Sequence, residues 1–253
     1  MQVVEVGWSL AALLTVLTGC AAVLVRWAGL GQSRQVVVAA VRAVIQLAVV
    51  SLVIGFALRS IPWTAAFIAV MLVVASGTSA HRITGSLRPR GWLAALPILA
   101  GVLPTLTLIL LSTALPVVPI AILPVAGILV GNAMTATTLA GRRAVEELTD
   151  QRGAYEAALS VGLSRREGVS LVARPAAALA LVPGLDQTRT VGLVTLPGAF
   201  VGVLLAGASP LQAGAAQVLV LVALMLVQTL AVAVTVELIS GGLLPVGSGP
   251  LPQ

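Results

Sequence analysis

The sequence predicts an all-α protein that crosses a lipid bilayer about seven times. Hydrophobic residues make up 59% of the 253 positions and charged residues only 9%, whereas an ordinary soluble domain has roughly 25% charged residues. A chain of this length could not bury so much apolar surface in one water-soluble core. The apolar residues also fall into runs of about 20, the length at which a helix crosses the hydrocarbon core.

Seven such runs follow one another along the chain. We place the membrane-spanning helices at residues 6–25, 36–58, 63–79, 92–113, 116–140, 188–206 and 211–238. Residues 1–240 then form one transmembrane domain. Residues 241–253 are rich in Gly and Pro and show no periodicity, so we expect a disordered tail there.

The arginines predict the orientation of these spans. The formal net charge is +6, and most of the basic residues lie in the first, third and fifth loops. The second loop holds only Arg59, and the fourth and sixth loops hold none. Cytoplasmic loops are enriched in Arg and Lys, so we expect the N-terminus outside and the C-terminus in the cytoplasm. Because the charges alternate with apolar runs, they indicate topology rather than nucleic-acid binding.

The fifth loop, residues 141–175, is the only long polar stretch, and the charge pattern places it in the cytoplasm. A helix is predicted over residues 142–160, and Gly162 ends it. Ser164 and Glu167 have the spacing of a capping box, in which each side chain accepts from the other residue's backbone N–H. A second helix is predicted to start at Arg165, and Pro175 marks its boundary or a kink.

The same loop resembles the EAA loop of ATP-binding-cassette (ABC) permeases, written E-A-A-x3-G-x9-I-x-L-P. The matching residues are Glu156, Ala157, Ala158, Gly162, Val172 in place of the Ile, and Pro175. Arg174 departs from the Leu of the pattern. The resemblance implies a coupling helix that docks on a cytoplasmic ABC ATPase subunit, with Ser164 and Glu167 shaping its turn. The alternative is a surface hairpin that only links two spans.

Further stretches resemble the FetB-type permeases, the membrane subunits of bacterial ABC exporters linked to iron, whose family includes plant aluminium-tolerance membrane proteins. The matching stretches are residues 131–136 (GNAMTA), 190–198 (TVGLVTLPG), 207–210 (GASP), Gln217, and Arg42 with Gln46 and Leu47. The resemblance implies a multi-pass permease of the cell inner (plasma) membrane, a homodimer that exports iron or another metal. ATP would be bound by a partner subunit, and the chain would hold no cofactor itself. Ala199 and Phe200 stand where the family commonly has two methionines, which weakens the inference of a metal substrate.

Polar groups and helix breaks inside the spans are the candidates for a translocation path, because they are costly in a bilayer. Arg42 could line the path, pair with Glu237 or only extend to the interface, and Asn132 could line the path or bond to another helix. Helix breaks are tolerated where they line a cavity. The candidates for a translocation path or helix packing are Arg42, Gln46, Asn132, Met134, Pro197, Gly198 and Gln217.

Other functions fit the residues less well. No catalytic residue and no metal site are predicted: His81 has no partner in its loop, and the single Cys is distant from it in sequence.

A secondary transporter or channel without an ATPase is the main alternative, but it typically uses intramembrane acids or unwound helices. Glu237 is the only acid in a predicted span. An intramembrane enzyme is the third alternative. The chain lacks the G-x4-G-K-[ST] phosphate loop of an ATPase, so energy would come from a separate subunit.

Overall fold

A computed structural model describes residues 7–85 and 89–244, and these residues form ten α-helices and no β-strand. The helices are α1 (Trp8–Trp27), α2 (Ser33–Ala57), α3 (Ile61–Thr84), α4 (Ala95–Leu111), α5 (Pro119–Asp150), α6 (Arg152–Ser160), α7 (Arg165–Ala178), α8 (Val182–Thr190), α9 (Gly198–Leu205) and α10 (Pro210–Ser240). Short 3-10 turns precede α4, at Pro89–Ala94, and α8, at Leu179–Leu181. Most of the predicted tail, from residue 245 on, lies outside the described residues, as does Arg88 of the third loop.

The chain divides into two compact units, Met1–Ala57 and Leu58–Gln253. In the first unit α1 packs against α2. No residue of α1 is buried, and Ala57 is the one buried residue of α2. Helices that present apolar side chains in all directions suit a lipid environment.

In the second unit α5 and α10 lie at the centre, because α3, α4 and α7 pack on one or both of them. Two glycines permit close approach. A Cβ at Gly101 of α4 would stand 2.6 Å from the carbonyl oxygen of Val227 on α10. A Cβ at Gly141 of α5 would stand 2.7 Å from Cδ1 of Ile83 on α3. The backbone contact requires glycine at Gly101, whereas a side chain at Gly141 would require the Ile83 side chain to move.

Seven helical stretches in the described part of the chain are long and apolar enough to cross a membrane, as the sequence predicts. They are Trp8–Trp27, Ser33–Ala57, Ile61–Thr84, Gly91–Leu111, Pro119–Asp150, Arg165–Thr190 and Pro210–Ser240. The all-α fold is thus confirmed, while the orientation across the bilayer stays a prediction.

The position of the sixth span differs from the prediction. The spanning stretch is Arg165–Thr190, made of α7, a 3-10 turn and α8, whereas residues 188–206 contain only the end of α8, an unwound segment and the short α9. The charged residues at the start of α7 made this stretch look like part of a polar loop in the sequence. Arg166 and Arg174 both pair with Glu237 of α10, so they do not interrupt the helix.

The polar loop also differs in its helix boundaries. No separate helix covers residues 142–160, because α5 continues without interruption to Asp150 and α6 then begins at Arg152. At 1.5 Å per residue, the 32 residues of α5 extend for about 48 Å. This length exceeds the thickness of a bilayer core, so the charged end of α5 extends beyond the core. Pro175 lies inside α7, which ends only at Ala178.

Candidate functional site

The α6–α7 hairpin, residues 152–178, packs its inner side on the end of α5. Tyr155 of α6 is 1% exposed and belongs to one core cluster with Leu148 of α5 and Val169 of α7. Gly168 lets the two hairpin helices approach, since a Cβ there would lie 3.3 Å from the Tyr155 ring and 3.7 Å from the Ala158 Cβ. The hairpin is therefore joined to α5 by a packed apolar core.

The turn between α6 and α7 is fixed by backbone hydrogen bonds. The N–H of Gly162 donates to the carbonyl of Leu159, and the N–H of Leu163 donates to that of Ala158. This is a Schellman motif, whose C′ residue takes a left-handed conformation. Gly162 has φ +91°, which residues with a Cβ rarely adopt.

The predicted capping box is present at the start of α7. The hydroxyl of Ser164 accepts from the N–H of Glu167 at 3.3 Å, and Oε2 of Glu167 accepts from the N–H of Ser164 at 2.8 Å. Two consecutive local motifs, the Schellman turn and the capping box, therefore shape the turn between α6 and α7.

The outer face of the hairpin is apolar with charges around it. Val161 is 80% exposed and Leu171 61% exposed, and Ala157, one helical turn before Val161, is also exposed. Nε of Arg152 donates to Oε1 of Glu156 at 2.9 Å, and both side chains are exposed on α6. An open groove of about 600 Å³ runs along α7, lined by Leu163, Glu167, Ser170, Leu171, Arg174, Pro175 and Ala178. An apolar centre with a polar rim is typical of a protein-binding surface.

Two arginines connect the hairpin to α10. Nη2 of Arg174 donates to Oε1 of Glu237 at 2.9 Å, and Arg166 donates to Oε2 of the same carboxylate. Arg174 is the residue that departs from the EAA pattern. The departure therefore adds an ionic contact between the hairpin and the last membrane-spanning helix. The sequence suggested Arg42 as a partner for Glu237, and both arginine contacts were missed because nothing in the local pattern shows which helix packs beside α10.

One polar contact joins the central helices inside the apolar part of the unit. Nε2 of Gln228 on α10 donates to Oδ1 of Asn132 on α5 at 3.1 Å, and Nδ2 of Asn132 donates to the carbonyl of Ile128 at 2.9 Å. Gly184 of α8 lies against this pair, since a Cβ there would stand 2.0 Å from Oε1 of Gln228. The amides thus bond α10 to α5, and α8 packs against them at Gly184. This role of Gly184 could not be predicted from the sequence, because the neighbour lies on another helix.

The remaining candidates occupy separate places. Met134 is half-buried on α5, and its carbonyl accepts from the hydroxyl of Ser79 at 3.3 Å. Pro197 is the N-cap of α9, and Gly198 is its first residue. The structure also records Gln217 of α10 as 5% exposed; its Oε1 has no hydrogen-bond partner among the described residues.

Arg42 and Gln46 lie one turn apart on α2 of the first unit, and both are exposed. Whether these candidates line a path stays a prediction. Within residues 7–85 and 89–244, no group of three or more His, Cys, Asp and Glu side chains is placed to hold a metal ion.

Comparison with known proteins gives one family. The sequence profile of an uncharacterised protein family, UPF0014, matches residues 8–243. The chain is 38% identical over 199 residues to the UPF0014 membrane protein STAR2 of rice, which covers 78% of this chain and 69% of that protein.

Two bacterial relatives extend the match. A UPF0014 membrane protein of Synechocystis sp. is 32% identical over 91% of this chain and 90% of its own length. The probable iron export permease protein FetB of Escherichia coli is 32% identical over 46% of this chain and 45% of its own length. No solved structure matches the chain.

Proposed function

The chain belongs to the UPF0014 family of membrane proteins, and from that premise we propose that it is the permease subunit of an ABC transporter. A separate cytoplasmic ATP-binding subunit would supply the energy, and two copies of the chain would form the permease. The Escherichia coli relative is named a probable iron export permease protein. That name supports iron or another metal ion as the transported substrate and export as the direction.

The outer face of the α6–α7 hairpin is the observation on which this proposal depends. It combines exposed Ala157 and Val161 with a turn whose shape is fixed by Gly162 and Ser164. An ATPase that binds there would hold a rigid element, because the inner side of the hairpin is packed on α5 through Tyr155. The hairpin would therefore move with its neighbours rather than bend alone.

The contacts of the hairpin give a route from the ATPase to the membrane helices. α7 continues into α8, and Arg166 and Arg174 join α7 to Glu237 of α10. Farther along α10 from Glu237, the hydrogen bond between Gln228 and Asn132 joins α10 to α5. Nucleotide binding would bring the ATPase subunits together and shift α5, α7 and α10 as a group. That shift would open the path alternately to the two sides of the membrane.

The test is association with an ABC ATPase. The tagged chain is purified from membranes of its own host in mild detergent, and co-purified proteins are identified by mass spectrometry. Ala157→Arg with Val161→Asp places charges on the exposed outer face without disturbing the core. Ala114→Arg with Val117→Asp makes the same changes in the loop before α5, where both residues are also exposed.

We expect wild type and the Ala114/Val117 variant to retain an ATPase with a phosphate-binding loop, and the Ala157/Val161 variant to lose it. Equal retention by both variants would remove the coupling role. The metal substrate is tested separately, by measuring several metals in cells with and without the chain and its ATPase. No change in iron would overturn the iron assignment and leave the ABC proposal in place.

A further inference from the structure

An exposed ion pair lies within the sixth spanning stretch. The span expected from the sequence begins at residue 188, so Asp186 falls outside it, whereas the stretch in the structure is Arg165–Thr190. Nη1 of Arg189 donates to Oδ1 of Asp186 at 3.2 Å within α8, and the two side chains are 72% and 58% exposed. Ionisable residues inside a spanning helix are rare and mark functional sites.

Contacts with α10 give the direction of the sixth span. Arg174 pairs with Glu237 near the end of α10. Ten residues after Arg174, Gly184 lies against the side chain of Gln228, which is nine residues before Glu237. The sixth span and α10 therefore run antiparallel at nearly equal pace. Asp186, two residues beyond Gly184, lies level with about residue 226 of α10.

This level corresponds to the apolar middle of α10. Residues 210–236 carry no charge. A bilayer core takes up about 20 helical residues, and any stretch of that length within residues 210–236 includes residues 217–229. The ion pair of α8 is therefore level with the hydrocarbon core wherever the core begins along α10.

The ion pair also points away from the helices on which α8 packs. Gly184 faces Gln228 of α10. Successive helical residues are about 100° apart, so Asp186 and Arg189 lie on the side of α8 opposite Gly184. Charged groups at this level are tolerated where they face a water-filled cavity or protein rather than lipid.

The end of α8 is suited to a cation. Asp186 lies in the last turn of α8, where the helix dipole is negative and an acidic side chain is unfavourable for the helix. Beyond Thr190 the chain unwinds over residues 191–197, and the carbonyls of Gly192, Leu193 and Val194 accept no backbone hydrogen bond from the described residues. In membrane transporters, unwound carbonyls and the C-terminal ends of half-helices coordinate cations.

The ligands offered here are oxygens. Residues 182–205 contain one carboxylate, several hydroxyls and free carbonyls, and no Cys, Met or His. Carboxylate and carbonyl oxygens suit cations such as Mg²⁺ and Mn²⁺, whereas thiolates and thioethers select soft ions such as Cu⁺. A single carboxylate binds weakly, as a path needs if the ion is to leave again.

We propose that α8 lines the translocation path and that Asp186 binds the transported ion there, a divalent cation with oxygen ligands; this rests on the proposed function. Arg189 neutralises the carboxylate when no cation is bound and is displaced when one binds. The site thus names the substrate class of the permease and adds to it a residue that the sequence-based spans exclude.

Labelling of a cysteine next to Asp186 tests whether water reaches α8. Gln187, which is exposed, is replaced by Cys in a Cys20→Ser background, because Cys20 is an exposed thiol. The control is Val222→Cys on α10, at a similar level and 53% exposed among apolar residues. N-ethylmaleimide is neutral and reacts with the thiolate, which forms in water, so Gln187→Cys should react about tenfold faster. An equally slow reaction at both positions would mean that lipid or protein covers α8, and would overturn the proposal.

Protection by Mn²⁺ tests the cation site in the same membranes. Mn²⁺ should slow the labelling of Gln187→Cys, and this protection should be lost with Asp186→Asn and kept with Asp186→Glu. Glu146→Gln is the control, because it removes an exposed carboxylate paired with an arginine on α5, and it should leave the protection intact. Absence of protection, or equal protection with Asp186→Asn, would overturn the cation site.

Neither experiment requires the ATPase, so the two proposals can fail separately. A chain with Mn²⁺ protection at Gln187→Cys that binds no ATPase would keep the cation site and lose the coupling role. A chain that binds its ATPase through the hairpin but shows no labelling at Gln187→Cys would keep the permease proposal and lose this site.

Discussion

Arg174 of α7 donates a 2.9 Å hydrogen bond to Glu237 near the end of α10, and Arg166 donates to the other oxygen of the same carboxylate. The sixth and seventh spans are thereby connected at the end where the hairpin lies. All three side chains remain 45% exposed or more, so solvent screens the pairing. The contact therefore defines the position of the hairpin more than it stabilises the fold.

A double-mutant cycle measures this connection. Arg174→Ala and Glu237→Ala should each lower the stability of the detergent-purified protein slightly. The coupling energy between them should be about 0.2–1 kcal/mol, the range of exposed ion pairs. Reversible unfolding followed by circular dichroism gives the four values. A coupling above about 3 kcal/mol would mean that the pair is desolvated as buried pairs are. The matched control is the Arg142–Glu146 pair, 3.6 Å apart within α5.

Gly184 should tolerate no side chain while Gln228 holds its present position. The Cβ of Gly184→Ala would stand 2.0 Å from Oε1 of Gln228, which would displace the amide and break its bond to Asn132. We expect a loss of about 1–3 kcal/mol in the free energy of unfolding, typical of overpacking. Adding Gln228→Ala should recover part of the loss, so the two changes are not additive. Gly55→Ala is the control, because it meets nothing within 4 Å and should be neutral or stabilising.

Gly101 and Gly141 offer a contrast between backbone and side-chain contacts. Both Gly→Ala changes should destabilise the protein, since the new Cβ atoms would stand 2.6 Å and 2.7 Å from their nearest neighbours. The neighbour of Gly101 is the backbone carbonyl of Val227, whereas the neighbour of Gly141 is the side chain of Ile83. Ile83→Ala should therefore rescue Gly141→Ala, while Val227→Ala should not rescue Gly101→Ala. Melting temperatures of the single and double variants in detergent test this expectation. Rescue of Gly101→Ala by Val227→Ala as well would contradict the backbone contact.

The spans and the capping box could be predicted from sequence because both depend on local patterns. Apolar runs of about 20 residues reveal helices, and Ser164 with Glu167 is a signal only four residues long. The sixth span was placed wrongly because its first half carries Arg166 and Arg174, whose partner lies on α10. The stretch 188–206 resembled a span, yet it contains Pro197 and three glycines and forms the end of α8, turns and a short helix. Contacts such as Gly184 with Gln228 depend on tertiary packing and have no local signal.

Two turns built from the same motifs, one before α7 and one after α9, allow fold and function to be separated. After α9, the N–H of Gly207 donates to Leu204 and that of Ala208 to Val203, and Ser209 forms a capping box with Gln212. The α6–α7 turn has the same motifs, with Gly162 at φ +91° and Gly207 at φ +93°.

Gly162→Ala and Gly207→Ala should therefore destabilise the protein by similar amounts, about 1–2 kcal/mol each, the cost of a left-handed L-residue. Only Gly162→Ala should reduce the amount of co-purified ATPase, because only that turn borders the proposed docking face. Melting temperatures establish that the two variants are equally stable before association is compared. Equal loss of the ATPase from both would mean that association follows general stability, and the docking face would then lie elsewhere.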